Sequence, residues 1–213
     1  VVRFTNTLAV TYPSVRNEVN PVDFIAVEAV RVFIPSLYDV VRNNSDMFSG
    51  HSISESHDLE TRKTSFHAQW KSDLRAEMKS SMPAMMERIF PKLNQVSHRA
   101  DWLPEWRKKL RVCHPDLFPV YFRLTIPTGA VRRSDMLSIL SLGENPLGLG
   151  EMFLKSAQEK RPDGLSKARA ILERLMDHIE SDLSSKHVPV FVKVLLDVGD
   201  GLIVPSDEQG FFD

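Results

Sequence analysis

None of the nine glycines in this 213-residue chain is followed by lysine. A loop that cradles phosphate needs Gly-x-x-x-x-Gly-Lys-Ser/Thr between a strand and a helix, so these residues contain no such loop. The densest glycine cluster, Gly143-Glu-Asn-Pro-Leu-Gly-Leu-Gly150, carries Glu144 where an anion would sit. No apolar strand closing on paired acids is present either. The single cysteine, Cys113, excludes an internal disulfide and a cysteine-rich zinc site, which fits a reducing cytoplasm. An excess of one charge is also missing: 27 Lys and Arg against 28 Asp and Glu give a formal charge of −1, which argues against a dedicated nucleic-acid partner. No stretch approaches the roughly 18 apolar residues that a bilayer span needs, and the first residues have no signal-peptide pattern.

Helical spacing is abundant. Hydrophobic residues make up 42% of the chain, enough to build one large or two small cores. Val1, Phe4, Leu8 and Tyr12 share one face of a first helix that Pro13 is expected to end, with Arg3, Asn6 and Thr7 facing elsewhere. Asn20 caps a helix that opens on Pro21, where the missing N–H is harmless, and Asp23 places a carboxylate near the positive helix end. Pro35 pushes Ile34 out of the helical region, so this helix should stop near Phe33 and another should run from Pro35 to about Asn43. Residues 45 to 58 have turn composition and read as a connection. A long polar helix from about Leu59 to Lys79 follows, with Phe66, Trp70, Leu74 and Met78 as a narrow apolar stripe.

Prolines at 83, 91, 104, 115, 119 and 127 then divide the chain into short helices, one burying Met85, Met86, Ile89 and Phe90, another running from about Pro115 to Phe122. Thr128 and Gly129 mark a turn. Ser134 is expected to cap a helix through Leu142, and Leu149, Met152 and Phe153 mark the next. Leu165, Ala168, Leu172, Leu175, Met176, Ile179 and Leu183 define an amphipathic helix about five turns long. Val188 to Val198 is β-branched enough for a strand, but Pro189 at a first turn and Gly199 at the end favour a helix. The expected fold is mostly all-α, an irregular array of proline-punctuated helices with at most a minor strand pair near 202 to 204. Alternating strand and helix signals are absent, which excludes a doubly wound sheet.

Four segments together resemble the KAP-family P-loop NTPases. Asn20-Pro-Val-Asp-Phe-Ile-Ala-Val-Glu-Ala-Val-Arg-Val-Phe-Ile-Pro-Ser-Leu-Tyr-Asp-Val-Val-Arg42 is similar to the segment that follows the nucleotide-binding core in that family. Val2-Arg-Phe-Thr-Asn-Thr-Leu8 resembles its lid helix, Arg111-Val-Cys-His-Pro-Asp-Leu-Phe-Pro-Val-Tyr-Phe-Arg-Leu124 its "CxPDYF" block, and Leu195-Leu-Asp-Val-Gly-Asp-Gly-Leu202 a late "LLDVGD" block. The resemblance implies that the chain is the non-catalytic, C-terminal helical part of a KAP-type NTPase. Residues 1–45 would be lid, 46–127 a helical middle region and 128–213 a C-terminal helical region. It further implies ATP and Mg2+ on an upstream P-loop core of the same chain, an unidentified protein partner, membrane-proximal roles through other parts of the parent, and, in bacteria, phage exclusion. Lacking Walker motifs, these residues are expected not to hydrolyse nucleotide alone. Arg3 matches the family's lid arginine, which can reach nucleotide phosphates, and Asn6 lies one turn later. The competing reading of both is plain surface polarity.

Other constellations carry less. Trp102, Trp106, Arg107, Lys108, Lys109 and Arg111 mix aromatics and cations as single-stranded nucleic acid likes, yet fit a solvated helix with buried tryptophans. His51, His57 and His67, with Asp58 and Glu60, have the wrong spacing for a helical metal site. Cys113 and His114 are adjacent and so point apart, with no orienting acid implied, and Asp116 reads as a first-turn charge rather than a base. Asp197, Asp200 and Asp207 around Gly199 and Gly201 fail the twelve-residue calcium-loop pattern. The rival function from another class is a helical protein-interaction scaffold without nucleotide coupling; a hydrolase built on Cys113 or the histidines is the third.

Overall fold

In the computed structural model, residues 1–50, 57–93, 102–162, 164–179, 182–204 and 207 are described, without the side chains of 57–60. They divide into two units, residues 1–125 and 126–213. The described residues contain helices and no strand, so the fold is all-α.

In the first unit the helices are α1 (Val2–Val15), α2 (Pro21–Phe33), α3 (Pro35–Asn43), α4 (Ser45–Phe48), α5 (His57–Ser72), α6 (Ser81–Ile89), α7 (Trp102–Lys108) and α8 (Phe118–Arg123). Asn20 caps α2 as its residue type dictates, its side-chain oxygen accepting from the N–H groups of Val22 (3.0 Å) and Asp23 (3.3 Å). Ile34, at φ −140°, breaks the chain ahead of Pro35, so α2 and α3 have the expected bounds. Phe24, Phe48, Met86, Phe90 and Tyr121 fill the centre of a core that draws on every helix from α1 to α8. Residues 1–45 and 46–125 therefore share one apolar interior.

Four boundaries differ from expectation in this unit. Pro13 does not end α1, which runs two residues further to Val15. The helix needs only its last turn beyond the proline, and Val15, 1% exposed, is held in the core. The stretch after Ser45 is not all connection: α4 forms there because Phe48 packs edge-on against Phe66 and Phe90 at 6.0 and 5.4 Å, while the Lys92 ammonium donates to the carbonyls of Asp46 and Ser49 at its C-terminal end. The long polar helix stops at Ser72 instead of Lys79. Its stripe survives the break, because Leu74 and Met78 still reach the core from the turn and the short 3-10 segment Ala76–Met78. The helix expected from Pro115 likewise starts late, at Phe118, with Pro119 in its first turn.

The second unit contains α9 (Arg133–Ser141), α10 (Pro146–Gln158), α11 (Lys167–Met176) and α12 (Val188–Leu202). Leu149, Phe153, Ile171, Leu175, Phe191 and Val194 form its core. The helix α9 is capped two residues earlier than Ser134 would have it: Asp135 reaches back to the Arg132 N–H at 3.1 Å. The helix α10 lies closely along α12, and the glycine cluster finds its role in packing. A Cβ on Gly143 would fall 2.5 Å from the His187 ring, and one on Gly201 the same distance from Leu154. The five-turn helix is shorter than expected, ending at Met176, which is 70% exposed, although Ile179 and Leu183 still contribute to the core from the following turns. Leu202 completes α12 in place of the minor strand pair. Ile203 leaves the helix in an extended conformation without pairing, and the only bridge among the described residues joins Lys160 and Ser166.

Candidate functional site

The helices α1 and α2 pack together through Phe4 against Phe33 (ring centroids 5.7 Å apart) and Tyr12 against Phe24 (5.4 Å), so the start of α1 lies beside the end of α2. A shallow open groove runs along this pair. Its lining comes from Val2, Arg3, Asn6, Thr7, Val10 and Thr11 of α1 and from Arg31 of α2. Arg3 and Asn6 thus lie on one concave surface, one helical turn apart. Arg31 is the residue that sequence reasoning missed there. Its only advance signal was Glu28, one turn before it on the same helix, the spacing of an intrahelical ion pair.

Beneath Arg31, Glu28 is fully buried and takes the guanidinium Nη2 on Oε2 at 2.5 Å. Burial pushes the Glu28 carboxyl above its ordinary range, opposed by the Arg31 hydrogen bond and charge. Its second oxygen, Oε1, has no hydrogen-bond partner among the described residues. The adjacent Thr11 hydroxyl donates instead to the Thr7 carbonyl at 2.9 Å. The groove therefore offers two guanidinium groups, an amide and hydroxyls at its surface, with the acid set below.

A second constellation joins the two longest segments carrying the family resemblance. Asp23, at the start of α2, is 2% exposed, and its Oδ2 accepts from Arg111 Nε at 2.7 Å and from the Val112 N–H at 3.0 Å. Arg111 also donates to the carbonyl of Arg88 at 2.7 Å, closing the end of α6. Tyr121 donates its hydroxyl hydrogen to the Leu110 carbonyl and accepts from the Asn20 N–H at 2.7 Å. Leu110 itself sits at φ +57°, a left-handed conformation that these contacts hold in place. Burial raises the Asp23 carboxyl against the opposing pull of Arg111. The arrangement clamps a loop; it leaves no open position for a substrate.

The remaining candidates are dispersed. Cys113 is fully buried, and burial pushes its thiol up to about 12, so little thiolate forms at neutral pH. His114 is buried as well, its Nδ1 accepting from the Asp116 N–H at 3.2 Å, while the Asp116 side chain is exposed. Trp106 is in the core, Trp102 stands edge-on to it at 6.2 Å, Lys109 pairs with Glu105 at 2.6 Å and Arg111 is held by Asp23, so the aromatic and cationic members do not share one open face. His51 and the side chains of His57, Asp58 and Glu60 lie outside the described residues; His67 is packed among Phe48, Phe66 and Trp70. Asp197 and Asp200 are exposed on α12, whereas Asp207 is buried and receives the N–H and the hydroxyl of Ser166 at 2.8 and 2.6 Å. Among the described residues, no three acidic, histidine or cysteine side chains converge as metal ligands would. No helix among them is long and apolar enough to cross a membrane.

Compared with models of known protein families, with curated proteins and with solved structures, the chain has no match.

Proposed function

We propose that the chain is the helical lid and interaction part of a KAP-type P-loop NTPase, coupling the nucleotide state of an upstream core to a partner protein. One observation carries this reading: Arg3 and Asn6, the residues aligned with the family's lid helix, open together onto a groove that also holds Arg31. A guanidinium is always charged and presents donors in a planar fork that suits phosphate oxygens. When ATP and Mg2+ occupy the core, α1 closes over the phosphates and Arg3 stabilises charge on the transferring group. The movement then passes to α2 and α3. The Asp23–Arg111 clamp binds the start of α2 to the α7–α8 loop, so a shift of α2 is transmitted to the rest of its unit. Phage exclusion in bacteria is the physiological setting that the resemblance suggests. Nucleotide turnover by the chain with and without its upstream sequence, each with and without Arg3→Ala, tests the reading.

The alternative is a helical protein-interaction scaffold with no nucleotide coupling. Leu147 on α10 and Val192 and Leu196 on α12 are exposed apolar side chains that favour it. Under this alternative Arg3→Ala leaves every activity of the longer protein unchanged, while Leu196→Glu abolishes partner capture.

A further inference from the structure

We infer that Arg31 is the second phosphate-contacting cation of the α1–α2 groove, acting with Arg3 on the oligophosphate chain of a nucleotide. This rests on the phosphate reading of Arg3 and extends it to a residue on another helix. Both side chains line the same groove, together with the hydrogen-bonding groups of Asn6 and Thr7 and the apolar Val2 and Val10. Arg31 differs from Arg3 in being anchored. One of its nitrogens is fixed on Glu28, leaving Nε and Nη1 for an outside acceptor. Anchoring reduces the side-chain freedom lost when a ligand binds, which is a large cost for an unrestrained arginine. The side chain is partly exposed, at 29%, and lines the open groove. An anion bridging Arg3 on α1 and the Glu28-anchored Arg31 on α2 also tightens the helix pair, linking phosphate occupancy to the position of α2.

The test is a titration of the chain with pyrophosphate, followed through the arginine Nε–Hε resonances by NMR. Those of Arg3 and Arg31 are expected to shift together, with the exposed Arg16 as the unmoved reference, and the shifts should shrink with added salt. Arg31→Lys assigns the Arg31 resonance and keeps a cation against Glu28, so it remains folded. Arg31→Ala is expected to weaken pyrophosphate binding by about tenfold, as loss of a charge-assisted contact does. Shifts at Arg3 alone overturn the inference and leave the lid reading standing. Absence of shifts at both residues overturns it too, and an unchanged ATP turnover in the upstream-extended Arg3→Ala protein then removes the lid reading separately. In that extended protein, a loss of turnover for Arg31→Ala matching that for Arg3→Ala identifies a nucleotide as the source of the phosphate chain. A loss of pyrophosphate binding without one identifies free oligophosphate.

Discussion

Trp70 donates its indole N–H to His67 Nδ1 at 3.0 Å, inside a cluster completed by Phe48 and Phe66. Burial, with the nearby Lys71 charge adding to it, pushes the His67 imidazole down to about 4. Because the folded-state value lies below the ordinary 6.5, the unfolded chain binds a proton between those limits and the folded chain does not. The contribution of His67 to stability is therefore complete above about pH 6.5 and is lost as pH falls toward 4. Urea unfolding at intervals from pH 7 to 4 should show a steeper acid loss for the natural protein than for His67→Gln; parallel curves would contradict the assignment. Cys113 gives a simpler expectation. Its buried thiol, with a value near 12, should resist a disulfide reagent at pH 8 until the protein is unfolded, when it reacts at the rate of a free cysteine. Immediate modification of the native protein would show the site to be open.

At the scale of elements, the Asp23–Arg111 contact fixes the start of α2 to a loop 88 residues away. Arg111→Ala leaves a buried carboxylate without its cation and should cost about 3 kcal/mol in urea unfolding. Lys109→Ala, which breaks only an exposed pair with Glu105, should cost no more than about 0.5 kcal/mol. Equal effects would mean that the clamp adds nothing. This clamp was not legible beforehand. Asp23 looked like a first-turn charge because helix-start rules are local, whereas its partner arrives from a distant loop. The local rules worked where they were sufficient: Asn20, Pro21, Ile34 and Pro35 set the bounds of α2 and α3 from their own chemistry. They failed where burial overrode them. Phe48 draws a short helix out of turn-like sequence, and the stripes of α5 and α11 continue through turns, since periodicity records which residues are buried and not where the backbone hydrogen bonds stop. In the groove, Arg3 and Asn6 were visible through resemblance. Arg31 was not, because its place depends on how α1 and α2 pack.

For the whole molecule, each unit has its own apolar core, one around Phe24 and Tyr121 and the other around Leu149 and Phe153. Residues 1–125 expressed alone should retain helical circular dichroism and unfold cooperatively; a chain without a cooperative transition would show that this core depends on the second unit. The groove belongs entirely to the first unit, whereas the exposed Leu147, Val192 and Leu196 of the scaffold alternative belong to the second. The role of Arg3 as a lid residue is tested by ATP turnover of the upstream-extended chain, compared with residues 1–213 alone and with Arg3→Ala in the longer form. Turnover is expected only in the extended chain, slowed by about a hundredfold when Arg3 is lost, the scale of removing one transition-state donor. Turnover by residues 1–213 alone, or an extended Arg3→Ala protein as fast as its parent, would contradict it.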